Sequence, residues 1–102
     1  MYFKVIVTKE AHNDTFEAYF YYEEKQNGLG ERFLDVLQLC YQSLSRQPEN
    51  YGYINEDPFK ILRDVKLEKF PYVVVFEIIE AEVIVYAVHN TYKHPGNKFR
   101  KT

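Results

Sequence analysis

The link between two segments of helical periodicity is only four residues long, Asn27-Gly28-Leu29-Gly30. Upstream of it, small and aromatic residues recur at three-to-four spacing and predict a helix over residues 10–26. Downstream, an apolar stripe predicts a second helix over residues 31–46, which ends before Pro48. Because so short a link leaves no room for another element, the two helices must fold back as a hairpin. The apolar stripe consists of Phe33, Leu37, Cys40 and Leu44.

Segments typical of β-strands lie on both sides of this hairpin. Residues 2–8 are rich in β-branched and aromatic side chains, with Phe3, Val5 and Val7 on one face. Three more strand candidates follow the helices, at residues 60–67, 70–79 and 83–90. The order β-α-α-β-β-β predicts an α+β fold in which an N-terminal helix hairpin packs on a small antiparallel sheet. Short links indicate that the last three strands form an antiparallel meander.

The length and composition restrict the class of protein. A chain of 102 residues is expected to form one domain over residues 1–102. Hydrophobic residues make up 46% and charged residues 27%, which argues against disorder. We find no apolar run of the ~20 residues that span a bilayer, and residues 1–4 do not read as a signal peptide. Cys40 is the single cysteine, so no disulfide framework is expected. These features predict a cytoplasmic protein without a membrane partner.

The charge is distributed unevenly along the chain. Residues 1–57 carry 5 basic and 10 acidic side chains, whereas residues 58–102 carry 8 basic and 5 acidic ones. The basic residues of the C-terminal segment are Lys93, Lys98, Arg100 and Lys101, with no acid among them. Such a segment fits an anionic partner or a solvated tail. The pI of about 5.9 argues against a dedicated nucleic-acid binder.

The residues that could carry chemistry are concentrated in the C-terminal strands and just after them. They are Arg63, Lys66, Lys69, His89, Tyr92, Lys93 and His94. Cations, a base and an acid of these types could bind a phosphodiester and move protons, as a metal-free nuclease requires, or they could be ordinary surface residues. The sequence has no Gly-rich phosphate loop, and the spacing of the histidines does not suit a metal ion. We therefore expect no cofactor and no metal site.

Three segments together resemble a known family. The first joins Tyr21-Tyr22-Glu23 to residues 28–34 (GLGERFL), the second covers residues 62–72 (LRDVKLEKFPY), and the third covers residues 84–95 (IVYAVHNTYKHP). In this order and spacing they are similar to the RelE/ParE superfamily of type II toxin–antitoxin toxins, nearer to the ParE-like plasmid-stabilisation branch. The resemblance covers residues 5–99. It implies a growth-arresting toxin that is neutralised by a cognate antitoxin.

The resemblance leaves two targets open, because ParE-like members act on DNA gyrase and RelE-like members cleave mRNA in the ribosome. In the RNA cleavers, the strand after Phe-Pro commonly reads Tyr-Arg-x-x-Tyr, whereas here Val73 stands at the arginine position. The run His-Thr-x-Arg-x-Pro of the family is replaced by residues 90–95 (NTYKHP). Loss of one group that stabilises the transition state typically costs ~10²–10³ in rate. These departures favour a toxin that binds a protein such as gyrase.

Two alternatives remain beside the gyrase hypothesis. The first is a metal-free, ribosome-dependent mRNA endonuclease, for which the candidate catalytic residues are Arg63, Lys66, Tyr92 and Lys93. The second is an inactive relative that binds an antitoxin or forms a homodimer. Whether the chain is an enzyme is therefore left open.

The expected surface for the target or partner consists of Arg63, Lys69, His89, Tyr92, Lys93 and His94. The chain also has ten tyrosines, more than one small core is expected to bury, and tyrosine is enriched at interfaces. Because residues 58–102 are net basic, we expect the antitoxin tail to be acidic with interspersed apolar anchors.

Overall fold

The computed structural model describes residues 2–55 and 57–92 of the chain. It contains β1 (Lys4–Val7), α1 (Lys9–Lys25), α2 (Leu29–Arg46), a short 3₁₀ turn (Pro48–Asn50), β2 (Leu62–Lys66), β3 (Tyr72–Ile79) and β4 (Glu82–Asn90). The predicted order β-α-α-β-β-β is confirmed, with element boundaries within two residues of those expected. Neither helix is long and apolar enough to cross a membrane among the residues that are described.

The four strands form one sheet in the order β1-β4-β3-β2. The last three strands form the predicted antiparallel meander. β1, however, pairs in parallel with β4, from Lys4 opposite Glu82 to Val7 opposite Val85, so the sheet as a whole is mixed. A parallel pair needs a long crossover connection, and the helix hairpin together with the first part of the meander provides it.

The turn between the helices depends on two glycines. Gly28 has φ +86°, in the left-handed region that favours glycine. The Glu23 carboxylate accepts hydrogen bonds of 2.9 Å from the backbone N–H groups of Gly28 and Gly30. A Cβ atom added at Gly30 would lie 2.6 Å from the carbonyl oxygen of Tyr19. Glycine is thus favoured at position 28 by the left-handed backbone and at position 30 by the close approach of the two helices.

The main core lies between the helix pair and one face of the sheet. Phe33, Leu37 and Leu44 of α2 are buried there with Val74 and Phe76 of β3. This arrangement confirms the packing predicted from the apolar stripe. Cys40 and Ile78 are partly buried against the same cluster, as are Phe3, Val5 and Val7.

The opposite face of the sheet carries a second, smaller core. Val73 and Val75 of β3 are buried there beneath Ile54, which belongs to the segment before β2. Leu62 and Ala87 pack around them. The backbone N–H of Ile54 donates a 2.9 Å hydrogen bond to the carbonyl of Leu62, which holds this segment against the sheet.

Candidate functional site

Two of the predicted site residues flank Val73 across three strands. Lys66 on β2 lies opposite Val73 on β3, and Val73 lies opposite His89 on β4. Cross-strand neighbours share a face, so Lys66 and His89 lie on the face that carries the smaller core. Val73 itself is 1% exposed. This row, Lys66-Val73-His89, places Lys66, a candidate catalytic residue, and His89, a candidate of the target or partner surface, on one face with Val73 between them.

Arg63 makes hydrogen bonds with the segment before β2. Arg63 is three residues before Lys66 on β2, so the two side chains leave the strand on opposite faces. Its Nη1 donates a 2.7 Å hydrogen bond to the carbonyl of Tyr51, and its Nη2 donates one of 2.8 Å to the hydroxyl of Tyr53. Arg63 therefore holds the segment before β2 in place.

The remaining candidates are dispersed. Lys69 is exposed in the turn between β2 and β3, with φ +70°. Tyr92 is 82% exposed, and its N–H donates a 2.8 Å hydrogen bond to Oδ1 of Asn90. Lys93 and His94 lie outside the described residues. The described candidates thus do not converge on one catalytic centre.

A cleft that the sequence reasoning missed lies between α1 and the adjoining ends of β3 and β4; we call it the α1–β4 cleft. Its volume is about 400 Å³. It is lined by Asp14, Glu17, Ala18, Tyr21, Tyr72, Val88, His89, Asn90 and Tyr92. The spacing i, i+3, i+7 of Asp14, Glu17 and Tyr21 was a usable signal, because it places all three on one helix face.

The α1–β4 cleft is held together by a contact between distant parts of the chain. Oδ2 of Asp14 accepts a 3.0 Å hydrogen bond from the backbone N–H of Val88. Burial raises the pKa of the Tyr72 hydroxyl, a hydrogen bond with Asn90 lowers it, and nearby Tyr21, Glu17 and Asp14 raise it further. Burial is the largest of these effects on the Tyr72 pKa.

A second concave surface, the α2–β2 groove, lies between α2 and β2. Its volume is about 340 Å³, and its apolar lining includes Val36, Leu39, Cys40, Val65 and Leu67. Leu39 is 64% exposed at its edge. Burial raises the pKa of the Cys40 thiol to about 12, so the thiol is protonated at neutral pH and is a poor nucleophile, as its position on the stripe predicted.

No group of three or more His, Cys, Asp and Glu side chains within residues 2–55 and 57–92 is arranged to hold a metal ion.

The comparisons with known proteins agree with this architecture. The family model described as the ParE toxin of the type II toxin–antitoxin system, parDE, matches residues 5–92. The chain belongs to the ParE toxin family. The family predicted from the three sequence segments is therefore confirmed.

A solved structure gives independent support for the fold of this ParE-family chain. A chain of the chromosomal ParDE TA system from P. aeruginosa superposes with a TM-score of 0.76 at 17% sequence identity. The match covers 86% of this chain and 95% of that one. No curated protein has significant sequence similarity to the chain.

Proposed function

We propose that this ParE-type toxin arrests growth by binding a protein target, DNA gyrase, and that it does not cleave RNA. The observation that carries the proposal is Val73, a buried valine between Lys66 and His89. A metal-free nuclease needs a cation beside the phosphorane, and valine cannot stabilise that charge. Two strand spacings separate the backbones of Lys66 and His89 by roughly 9–10 Å, with the valine between them.

The contacts of Arg63 support the same proposal. Its guanidinium donates to Tyr51 and Tyr53 and lies over the Tyr53 ring, 4.1 Å from the ring centroid. These contacts engage both Nη1 and Nη2 and so fix the orientation of the guanidinium, which a phosphate would have to approach through the remaining N–H groups. The guanidinium of Arg63 therefore stabilises the fold.

We further propose that a cognate antitoxin neutralises the toxin by covering the α2–β2 groove. An amphipathic segment laid into such a groove buries apolar anchors and slows its own release. The partly buried Val65 and the exposed Leu39 are side chains available for those anchors.

The basic segment over residues 93–102 is the part of the chain that could pair with the expected acidic antitoxin tail. The described residues after position 57 carry more acidic than basic side chains, so the basic excess of residues 58–102 comes from residues 93–102. Charge pairing of an acidic tail with that segment would chiefly accelerate association.

The proposal is tested by inducible expression in a bacterial host, alone and with the neighbouring reading frame. Growth arrest that the neighbour relieves, a co-purifying complex, and inhibition of purified DNA gyrase in a supercoiling assay support it. Total mRNA should stay intact under the same induction.

The alternative of an mRNA endonuclease makes a different prediction in the same experiment. It requires ribosome-dependent cuts at defined codon positions, abolished by Lys66→Ala, His89→Ala or Lys93→Ala. His12→Ala is the matched control, since His12 is an exposed histidine on α1, away from the row Lys66-Val73-His89. Harmless expression without a complex would leave an inactive or self-associating relative.

A further inference from the structure

The α1–β4 cleft combines carboxylates with tyrosine rings. Asp14 and Glu17 line it from α1, while Tyr21, Tyr72 and Tyr92 contribute aromatic side chains. Its remaining walls include the apolar side chains of Ala18 and Val88, both 2% exposed. A concave site with apolar walls and a few convergent polar groups is typical of ligand sites in proteins.

The charge of the cleft and of its surroundings determines whether a cation or an anion is favoured as its ligand. Within residues 2–55 and 57–92, acidic side chains outnumber lysine and arginine by 14 to 9. The described lining holds the carboxylates of Asp14 and Glu17, the imidazole of His89 and no lysine or arginine, so it would repel a phosphate or another carboxylate. The ligand of this cleft should therefore be a cation.

The aromatic rings favour an organic cation that can stack. Tyrosine faces attract ammonium and guanidinium groups within about 6 Å of the ring centroid. Tyr21 already makes such a contact, because Nζ of Lys25 lies 4.9 Å from its ring centroid. Arginine fits these rings better than lysine does, because its guanidinium is planar, weakly hydrated and able to donate to two oxygen atoms at once.

We infer that the α1–β4 cleft binds an arginine side chain presented by a protein partner. The guanidinium would stack on the tyrosine rings and donate to the Glu17 carboxylate, which is exposed on the cleft side of α1. Of the row Lys66-Val73-His89, His89 alone lines the cleft, so binding of an arginine side chain there can be tested whether or not gyrase is the target. Its test uses the purified full chain without any other protein.

The probe is a capped tripeptide, acetyl-Gly-Arg-Gly-amide, titrated into the isotopically labelled full chain by NMR. The same peptide with citrulline is the matched ligand control, because citrulline keeps the shape and loses the charge. We expect shifts at Tyr21 and Tyr72 for the arginine peptide and an affinity at least ~10-fold lower for the citrulline peptide. Equal affinities for the two peptides would overturn the inference.

Two carboxylate variants distinguish binding in the cleft from attraction by the net negative charge of the protein. Glu17→Gln should weaken binding of the arginine peptide about 5-fold or more. Glu24→Gln removes the same charge from an exposed site on α1 outside the cleft lining, and should leave the affinity within about 2-fold. Equal losses in the two variants would show that only net charge matters, which contradicts a site.

Tyr21 tests the aromatic part of the inference. Tyr21 is 50% exposed, so its substitution should not unfold the chain. Tyr21→Leu should weaken the arginine peptide several-fold, whereas Tyr21→Phe should retain its affinity because the ring remains.

The other possible occupant is the chain's own basic segment. A variant with Gln at Lys93, Lys98, Arg100 and Lys101 should bind the arginine peptide as the parent chain does. If this variant binds the arginine peptide and the parent chain does not, the cleft belongs to the chain's own basic segment, and the proposal of a partner is overturned.

Discussion

The guanidinium carbon of Arg63 lies 4.1 Å from the ring centroid of Tyr53, and Nη2 of the same side chain donates to the Tyr53 hydroxyl. Nη1 reaches the carbonyl of Tyr51 at 2.7 Å. One side chain thus ties β2 to the segment that positions Ile54 over Val73. Arg63, a candidate catalytic residue, is accordingly assigned a structural role.

This role makes a prediction about stability. Arg63→Ala should lower the free energy of unfolding by about 1.5–3 kcal/mol, because hydrogen bonds to a charged donor are lost and the Tyr51 carbonyl loses a partner. Arg63→Lys should recover only part of this, since an ammonium lacks the planar fork. Urea denaturation followed by circular dichroism measures both.

Lys66→Ala is the control for Arg63, because Lys66 is an exposed cation on the same strand. Its free energy of unfolding should stay within about 0.5 kcal/mol of that of the parent chain. If Arg63→Ala is as stable as the parent chain but no longer arrests growth, Arg63 acts on the target and the structural assignment is wrong.

The helix hairpin gives the second prediction. Gly30→Ala should destabilise the chain by about 1–3 kcal/mol, because the added methyl group would force the backbone of Tyr19 away from α2. Gly52→Ala is the matched control, since a Cβ atom at Gly52 meets nothing within 4 Å. Thermal unfolding of the two variants should therefore differ clearly. A Gly30→Ala variant as stable as Gly52→Ala would rule out the close helix contact.

The elements that were predicted well depend on local signals. The apolar residues from Phe33 to Leu44 recur at helical spacing and so lie on one face of α2. The short link through Gly28 and Gly30 requires the two helices to fold back on each other. The burial of Phe33, Leu37 and Leu44 against Val74 and Phe76 follows from these two signals.

The features that were missed depend on contacts between distant parts of the chain. Strand periodicity assigns faces but not neighbours, so it could not predict that β1 pairs in parallel with β4. The α1–β4 cleft needs the Asp14 to Val88 contact, which joins residues 74 positions apart. The Arg63 to Tyr51 contact, 12 positions apart, is likewise invisible to spacing.

The main core supplies a third prediction. Leu37 is 4% exposed and Leu39, two residues later on α2, is 64% exposed. Leu37→Ala should cost about 2–5 kcal/mol of stability, because it leaves a cavity in the core. Leu39→Ala makes the same chemical change on the surface and should cost less than about 0.5 kcal/mol. Similar losses in the two variants, measured by urea denaturation, would contradict the orientation of α2.

Asp57 supplies a prediction about pH. Its carboxylate accepts hydrogen bonds from the backbone N–H groups of Leu62, Ile61 and Phe59, at 2.7, 2.7 and 3.0 Å. These bonds, those of Leu62 and Ile61 foremost, lower the pKa of Asp57 below 3.8. Its stabilising contribution is therefore present above the unfolded-state pKa and is lost as the pH falls through the lower, folded-state value.

Asp57→Asn should accordingly be less stable than the parent chain at pH 7, with a difference that shrinks toward pH 2. Urea denaturation across this range measures it. Asp35→Asn is the control, because Asp35 is an exposed carboxylate on α2. A difference between Asp57→Asn and the parent chain that stays constant from pH 7 to pH 2 would show that the carboxylate charge does not matter.

Cys40 gives the last prediction, which also reports on the α2–β2 groove. Burial raises the thiol pKa from 9.0 to about 12, so the thiolate fraction at pH 8 is on the order of 10³ lower than in the unfolded chain. Iodoacetamide, which reacts with the thiolate, should alkylate the folded chain correspondingly slowly, with a rate that still rises tenfold per unit between pH 8 and pH 10. Mass spectrometry with and without urea measures both rates. A folded-state rate that levels off near pH 9 would mean that the thiol is solvated and that α2 does not pack as described.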